Sequence, residues 1–127
     1  MERKIIQTDK APKPVGPYNQ AVRVGNLLFC SGQISINPKT NQVEIGDVKS
    51  QAKLVLENLK ALLGAAGASL SSVVKTTIFL KNMDDFADVN EVYASYFTTD
   101  FPARSTIEVS ALPKGVDVEI EAIASLN

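Results

Sequence analysis

The pattern of apolar and polar positions predicts a chain of about six short strands. Apolar residues alternate with polar ones, or run together, in residues 4–8, 21–24, 27–31, 73–81, 104–110 and 117–125, and both patterns are typical of β-strands. Gly25-Asn26 and the turn residues 112–115 (LPKG) predict two hairpins. The segment LLFC (residues 27–30) is apolar on both faces, so we expect this strand to be central and covered on both sides.

Two segments carry apolar residues at helical spacing and predict amphipathic helices. Asp47 and Gly67 suit the N-cap and C′ positions of the first helix, and its apolar stripe consists of Val48, Ala52, Val55, Leu59, Leu62, Leu63 and Ala66. Asn82 and Asp84 are cap candidates for the second helix, whose buried side carries Phe86, Val89, Tyr93, Tyr96 and Phe97. The proline-rich residues 9–20 predict an extended loop, and residues 34–46 a polar loop with a short hairpin.

The order of these elements, β-ββ-α-β-α-ββ, predicts an α+β fold, with a mixed β-sheet of about six strands and two α-helices packed on one face. The 127 residues suffice for one hydrophobic core, so we expect a single domain over residues 1–127. The other sheet face carries apolar as well as polar side chains, which indicates that the protein forms an oligomer.

Composition and charge argue against several classes of function. The net charge is −1, with 13 Lys and Arg against 14 Asp and Glu, so no basic surface favours nucleic acid or a membrane. No apolar run is long enough to span a membrane, and no apolar segment near the start marks a secretory signal. The single cysteine, Cys30, is typical of a reducing compartment, so we expect a cytoplasmic protein.

The chain contains no histidine. This absence removes the commonest metal ligand, the commonest general base and every Ser-His-Asp or Cys-His arrangement. We expect neither a metal nor a cofactor, and any chemistry must come from carboxylates, hydroxyls, Tyr, Lys, Arg or backbone groups.

The two C-terminal strands carry the strongest candidate chemistry. If they pair as an antiparallel hairpin and bury their apolar sides together, Arg104 shares a face with Glu119 and Glu121. Which carboxylate lies nearer to Arg104 stays open. On these residues alone, a solvated cross-strand ion pair is the favoured interpretation. The alternative is a site in which the guanidinium grips a carboxylate and a neighbouring acid handles a proton.

Three further positions are weaker candidates, each with a structural alternative. Tyr18 ends the proline-rich loop, where a tyrosine more often anchors the edge of the core. Ser31-Gly32 leaves a buried strand and exposes a hydroxyl and backbone N–H groups, although the pair is equally common as a strand terminator. Asn90 lies just off the apolar stripe of the second helix, where a solvated amide is favoured.

Four segments resemble the Rid family (reactive intermediate deaminase, or YjgF-like), specifically its RidA branch. They are GPYNQAV (16–22), CSGQISINPKT (30–40), VVKTTIFLKNMDDFADVN (73–90) and PARSTIEVSALPKGVDVEIEAIA (102–124). The last resembles the family signature. The resemblance implies a homotrimer of chorismate-mutase-like subunits with sites between neighbours. It also implies the hydrolysis of 2-imino acids and their enamine tautomers, such as 2-aminoacrylate, to 2-keto acids and ammonia.

The resemblance also implies roles for particular residues. Arg104 would clamp the substrate carboxylate, and Glu119, chosen over Glu121 by the resemblance alone, would position the attacking water and manage its proton. The pocket would be lined by Tyr18, Ser31 and Asn90, with backbone groups of Gly32 and Thr106. Thr106 departs from the family, since many relatives have cysteine there. The segment FTTDFPARS (97–105) is shorter than in some relatives, which could alter the rim of the pocket.

Two other functions are alternatives to the deaminase. A non-catalytic regulatory protein that binds a small keto or imino acid needs only the clamp, so the presence of Glu119 beside Arg104 favours the enzyme. An RNA-acting protein, an activity attached to some relatives, is disfavoured by the near-neutral charge and the absence of histidine.

Overall fold

The six predicted strands are present and form one mixed sheet, as expected, and the predicted short hairpin lies apart from it. A computed structural model describes residues 2–127, with strands β1 (Arg3–Ile6), β2 (Ala21–Val24), β3 (Leu27–Gln33), β4 (Ile36–Asn37), β5 (Gln42–Val43), β6 (Val73–Leu80), β7 (Ala103–Glu108) and β8 (Val118–Ser125). Strands β4 and β5 form a separate short hairpin, and the other six form a sheet in the order β1-β2-β3-β8-β6-β7. Neighbours are antiparallel except β6 and β7, which are parallel.

Both predicted helices form. The caps of the first are those expected from the sequence, whereas the second begins after Asp85, which makes no side-chain cap hydrogen bond. Helix α1 (Val48–Ala65) begins after Asp47, whose carboxylate accepts a hydrogen bond from the Ser50 N–H at 2.7 Å. Beyond its C-terminal end Gly67 has φ +76°, the left-handed conformation that glycine adopts at low cost. Helix α2 (Phe86–Tyr96) follows a 3₁₀ turn that Asn82 caps.

The C-terminal hairpin expected from the turn residues does not form, because β6 lies between β7 and β8. Ile78 of β6 pairs with Thr106 on one side and with Ile120 on the other. Strand β6, helix α2 and strand β7 form a β-α-β unit, and such a unit places its two strands parallel. The LPKG segment therefore begins a connection past one strand, with a 3₁₀ turn at Pro113–Gly115.

The expectation that Arg104 shares a sheet face with Glu119 is consequently wrong. Arg104 pairs with Thr76, which is fully buried under the helices, whereas Glu119 pairs with Phe79. Thr76 and Phe79 are an odd number of residues apart on β6, so their side chains point to opposite faces of the sheet. Because side chains alternate between faces along a strand, Arg104 points to the helix-covered face. Glu119 points to the opposite face.

The hydrophobic core lies between the two helices and the sheet. Its fully buried members include Leu28, Val55, Leu56, Leu59, Leu62, Ile78, Leu80, Val118 and Ile120. The other sheet face, which we call the open face, exposes Ile5, Leu27, Phe29, Val74 and Ile107 by 41–47% each. Within one chain β3 is thus covered only on its helix side, contrary to expectation. No helix in residues 2–127 has the length and apolar character needed to cross a membrane.

Candidate active site

A bulge in β3 shapes the first part of the candidate site. Cys30 pairs with Ala122 and Gln33 with Ile120, so β3 has one more residue than β8 between these two pairs. Such a bulge bends the strand and turns side chains out of the regular ladder. The extra residue falls at Ser31-Gly32, the pair identified from the sequence.

The carboxylate of Glu119 lies directly against Gly32. A Cβ atom on residue 32 would collide with Glu119 Oε2 and come within 2.9 Å of its Cδ. Burial, and secondarily the negative charge of Glu121, raise the pKa of the Glu119 carboxyl above its ordinary value. Glycine at position 32 is therefore required for Glu119 to occupy this place, where its carboxyl holds a proton more readily than usual.

Four of the predicted site residues line one cavity of about 420 Å³, which we call the Glu119 cavity. They are Tyr18, Ser31, Gly32 and Glu119. The proline-rich loop forms one wall through residues 12–15, and Ile34 and Ile36 contribute to another. The cavity is therefore partly apolar, with the carboxyl, hydroxyl and backbone groups concentrated near the bulge.

The polar groups of this cavity are held by local hydrogen bonds. The Ser31 hydroxyl donates to the Asn19 carbonyl at 2.6 Å, and the Tyr18 hydroxyl accepts from the Val15 N–H at 3.2 Å. The Ser31 hydroxyl keeps its acceptor lone pairs, and the Tyr18 hydroxyl keeps its own hydrogen as a donor. Both groups therefore remain able to bond a ligand or a water molecule.

Two buried amides that the sequence did not point out hold the walls of the cavity. Gln20 donates to the carbonyls of Ala11 and Pro12 and so fixes the proline-rich loop. Asn58 of α1 donates to the Ile36 carbonyl at 2.8 Å. Asn58 could have been found, because it lies on the apolar stripe of α1, where a polar residue needs a buried partner.

Two of the remaining candidates, Arg104 and Asn90, lie on the other side of the sheet. They line a depression of about 370 Å³ together with Tyr93, Ala94, Phe101 and Pro102. The guanidinium carbon of Arg104 lies 4.9 Å from the centroid of the Tyr93 ring and 5.6 Å from that of Phe86. Within residues 2–127, the ion pairs are those of Lys49 with Asp88 and Glu91. Arg104 has no carboxylate partner there, so the ion-pair interpretation is wrong.

Thr106 lies two residues beyond Arg104 on β7 and shares its face. Its hydroxyl oxygen is buried, and it is the one such side-chain atom in the described part of the chain without a hydrogen-bond partner. Buried polar groups are nearly always paired. Within the described residues, the Thr106 hydroxyl is therefore an unsatisfied polar group in a buried position.

The predicted site residues thus form two groups within one chain. Tyr18, Ser31, Gly32 and Glu119 belong to the Glu119 cavity, and Arg104, Asn90 and Thr106 belong to the helix-covered face. The sheet itself separates the two groups.

Comparisons with known proteins agree with this fold. The family model described as Endoribonuclease L-PSP matches residues 8–126. A solved RidA structure from the Antarctic bacterium Psychrobacter sp. PAMC 21119 superposes with a TM-score of 0.93, at 48% identity over 96% of this chain and 98% of the other. The chain belongs to the Rid family.

Two curated relatives match nearly the whole chain and carry more specific names. A RutC family protein of Pyrococcus abyssi is 56% identical over 98% of both chains. A protein of Dermatophagoides farinae named 2-iminobutanoate/2-iminopropanoate deaminase is 47% identical, also over 98% of both chains. The resemblance to the RidA branch is thereby confirmed, and imine deamination is supported at the level of the Rid family.

Proposed function

We propose that the protein hydrolyses 2-imino acids and their enamine tautomers, 2-aminoacrylate/2-iminopropanoate and 2-iminobutanoate, to 2-keto acids and ammonia. One combination carries the proposal: within residues 2–127 Arg104 has no acidic partner, and burial raises the pKa of the Glu119 carboxyl. A free guanidinium can bind a substrate carboxylate through two hydrogen bonds. A carboxyl group whose pKa is raised by burial is better suited to accept and return a proton than an ordinary carboxylate.

The two groups lie on opposite sheet faces, so the proposed site needs two copies of the chain. We propose a homotrimer in which Arg104 of one subunit completes the Glu119 cavity of its neighbour. Two different surface patches that meet in this way form a heterologous interface, and three such interfaces can close into a ring. The apolar side chains of the open face supply the buried contacts that such an assembly requires.

In the proposed reaction, Arg104 binds the substrate carboxylate and orients the imine carbon towards the Glu119 carboxylate. Water attacks the protonated imine carbon, and Glu119 accepts a proton from that water as the C–O bond forms. Glu119 then returns this proton to the nitrogen of the resulting carbinolamine. The C–N bond breaks and ammonia leaves. As the keto group forms, the hydroxyl proton passes through the Glu119 carboxylate to the ammonia, so that ammonium is released and Glu119 is ionised again. Because the protonated imine is already electrophilic, the reaction needs no covalent nucleophile.

The test is the release of keto acid and ammonia from 2-aminoacrylate that a dehydratase generates in the assay. We expect wild type to exceed the spontaneous rate and Arg104→Ala to abolish this acceleration. Loss of a general acid–base typically costs about 10²–10⁴-fold, so Glu119→Gln should lower the rate by that order. Glu121→Gln is the matched control, because Glu121 lines the same cavity two residues further along β8.

Each outcome distinguishes one interpretation. A rate equally low in Glu119→Gln and Glu121→Gln would contradict the assignment of the proton-transfer role to Glu119. If wild type gave no acceleration but bound a 2-keto acid through Arg104, the protein would be a non-catalytic regulatory protein. All variants are compared at the same oligomeric state.

A further inference from the structure

The guanidinium of Arg104 rests on aromatic rings instead of an acidic side chain. Phe86 and Tyr93 are seven residues apart on α2, so they lie two turns apart on the same side of the helix. Both rings are within the distance at which a cation is attracted to the face of an aromatic ring. We call these two rings the aromatic seat.

An aromatic seat leaves the guanidinium donors of Arg104 available for a ligand, whereas an acidic partner would occupy them. The N–H donors of a guanidinium lie in its plane, and a carboxylate that binds the arginine uses those donors. A ring that packs against the guanidinium face uses none of them. The seat therefore restrains Arg104 while all of its donors stay available for a ligand carboxylate.

The inner ring of the seat is held firmly. Tyr93 is only 5% exposed, and its hydroxyl is hydrogen-bonded to Thr76 Oγ1 at 2.8 Å. Its ring stacks on Phe97 with centroids 4.5 Å apart. Thr76 is also the backbone neighbour of Arg104 across the β6–β7 pair, so the ring and the arginine are fixed to adjacent positions of the sheet. Phe86 forms the outer ring and is 38% exposed.

We propose that Phe86 and Tyr93 are positioning residues, which hold the unpaired guanidinium of Arg104 in the orientation that binds the carboxylate of a 2-imino or 2-keto acid. The inference rests on the carboxylate clamp of the proposed function. A long side chain that is ordered before binding loses less conformational entropy when the ligand arrives. Without the two rings, the Arg104 side chain would lose its conformational freedom only when the ligand binds, and the affinity for the ligand would be lower.

The first experiment measures the dissociation constant of 2-oxobutanoate by calorimetry on the full-length protein at a fixed oligomeric state. For Phe86→Leu we expect the dissociation constant to rise about threefold to tenfold, in keeping with the strength of a cation–π contact. KM should rise in parallel, with a smaller effect on kcat. Tyr93→Leu should behave similarly, and Tyr93→Phe should restore affinity because it keeps the ring.

The control separates positioning from stability. Tyr96→Leu removes a half-buried aromatic ring of the same helix, one that bonds Glu57 and does not contact Arg104. We expect it to lower the melting temperature and leave the dissociation constant unchanged. Tyr93→Phe should also lower the melting temperature, because the buried Thr76 hydroxyl loses its partner. A dissociation constant that follows the melting temperature across these variants would overturn the inference.

A second experiment keeps the shape of the seat and changes only its electronics. Phenylalanine carrying one, two or three ring fluorines is incorporated at position 86, since each fluorine weakens the negative face of the ring. We expect the dissociation constant to rise with each fluorine, and a flat series would overturn the inference. Arg104→Ala distinguishes the two proposals. If this variant binds 2-oxobutanoate like wild type, the clamp itself is wrong; if it loses binding while the fluorinated series is flat, only the seat is wrong.

Discussion

Arg104 and Glu119 lie on opposite faces of one sheet, although the strands that carry them both pair with β6. Their side chains cannot meet within a chain, because the sheet backbone lies between them. A reaction that needs both residues must therefore use two copies of the protein. This requirement can be tested without knowledge of the assembly's detailed geometry.

Co-expression of Arg104→Ala and Glu119→Ala chains should restore deaminase activity that neither variant has alone. Arg104→Ala subunits supply an intact Glu119, and Glu119→Ala subunits supply an intact Arg104. With random mixing of equal amounts in a closed ring, about a quarter of the interfaces pair the two intact residues. Activity is measured on the purified mixed oligomer.

The control co-expresses Arg104→Ala chains with chains that carry both substitutions. No interface in that mixture has an intact Arg104, so no activity should return. A mixture of the single variants that stayed as inactive as the control would contradict a site shared between subunits.

The sequence predicted the elements of the fold well because each is specified locally. The stripe of α1, its cap Asp47 and the glycine beyond its end depend on residues a few positions apart. The pairing of the C-terminal strands was not specified in this way. The segment LPKG is compatible with a tight turn that would pair β7 with β8. The alternative partner of both strands, β6, lies about thirty residues before β7, and only the tertiary fold decides between the two arrangements.

The error in strand pairing also explains the error in the site. The alternation along each strand was correct, since Arg104 and Thr106 do share a face. The predicted pairing of β7 with β8 was wrong, because β6 lies between them. The predicted face of Arg104 relative to Glu119 was therefore wrong as well. The position of Asn58 on the apolar stripe of α1 could have indicated a buried amide, but its partner, the Ile36 carbonyl, lies 22 residues away in the sequence and could not have been identified.

Gly32→Ala should reduce deaminase activity far more than stability. The added Cβ collides with the end of the Glu119 side chain, which is flexible and can move away at small cost in unfolding free energy. A displacement of about 1 Å in a catalytic group can lower the rate about 10²-fold. The measurements are kcat/KM and the melting temperature of each variant.

Gly64→Ala is the matched control for this substitution. Gly64 lies in α1, and a Cβ there would meet nothing within 4 Å. Replacing a helical glycine with alanine typically stabilises a protein by about 0.5–1 kcal/mol, so we expect a higher melting temperature and unchanged activity. Full activity in Gly32→Ala would show that Glu119 does not act from its observed position.

The free energy of unfolding should fall as the pH rises through the titration of Glu119. The ordinary pKa of 4.5 applies to the unfolded chain, and burial raises the pKa in the folded protein. Between the two values the folded protein binds more protons than the unfolded chain, so rising pH disfavours folding. The stabilising contribution is complete below pH 4.5 and is lost as the pH passes the raised value.

Glu119→Gln cannot ionise, so it should gain stability relative to wild type over that same range. Urea unfolding at fixed protein concentration across the pH range measures the difference, because the stability of an oligomer depends on concentration. A constant difference between the two proteins at every pH would show that the pKa of Glu119 is the same in the folded and unfolded states.

Thr106→Val should stabilise the protein. Among residues 2–127 the buried Thr106 hydroxyl has no hydrogen-bond partner, and an unsatisfied buried group costs about 1–3 kcal/mol. Valine has nearly the same shape and removes that cost. Thr76→Val is the contrasting variant, because it leaves the Tyr93 hydroxyl without its partner and should lower the free energy of unfolding. Equal destabilisation of both variants in urea unfolding would show that the Thr106 hydroxyl has a partner in the assembled protein.

Phe29→Glu should prevent assembly and, with it, deaminase activity. Phe29 lies on the open face between Val22 and Ile123 in the register of the sheet and is 43% exposed within one chain. Burying an unpaired carboxylate against a neighbouring apolar face is strongly unfavourable, whereas in a separate chain the same carboxylate remains in water. We therefore expect a folded monomer with unchanged circular dichroism.

Ala65→Glu introduces the same charge at an exposed position near the end of α1 and should leave the oligomer intact. Light scattering after gel filtration measures the mass of each variant, and an oligomeric, active Phe29→Glu protein would contradict assembly through the open face.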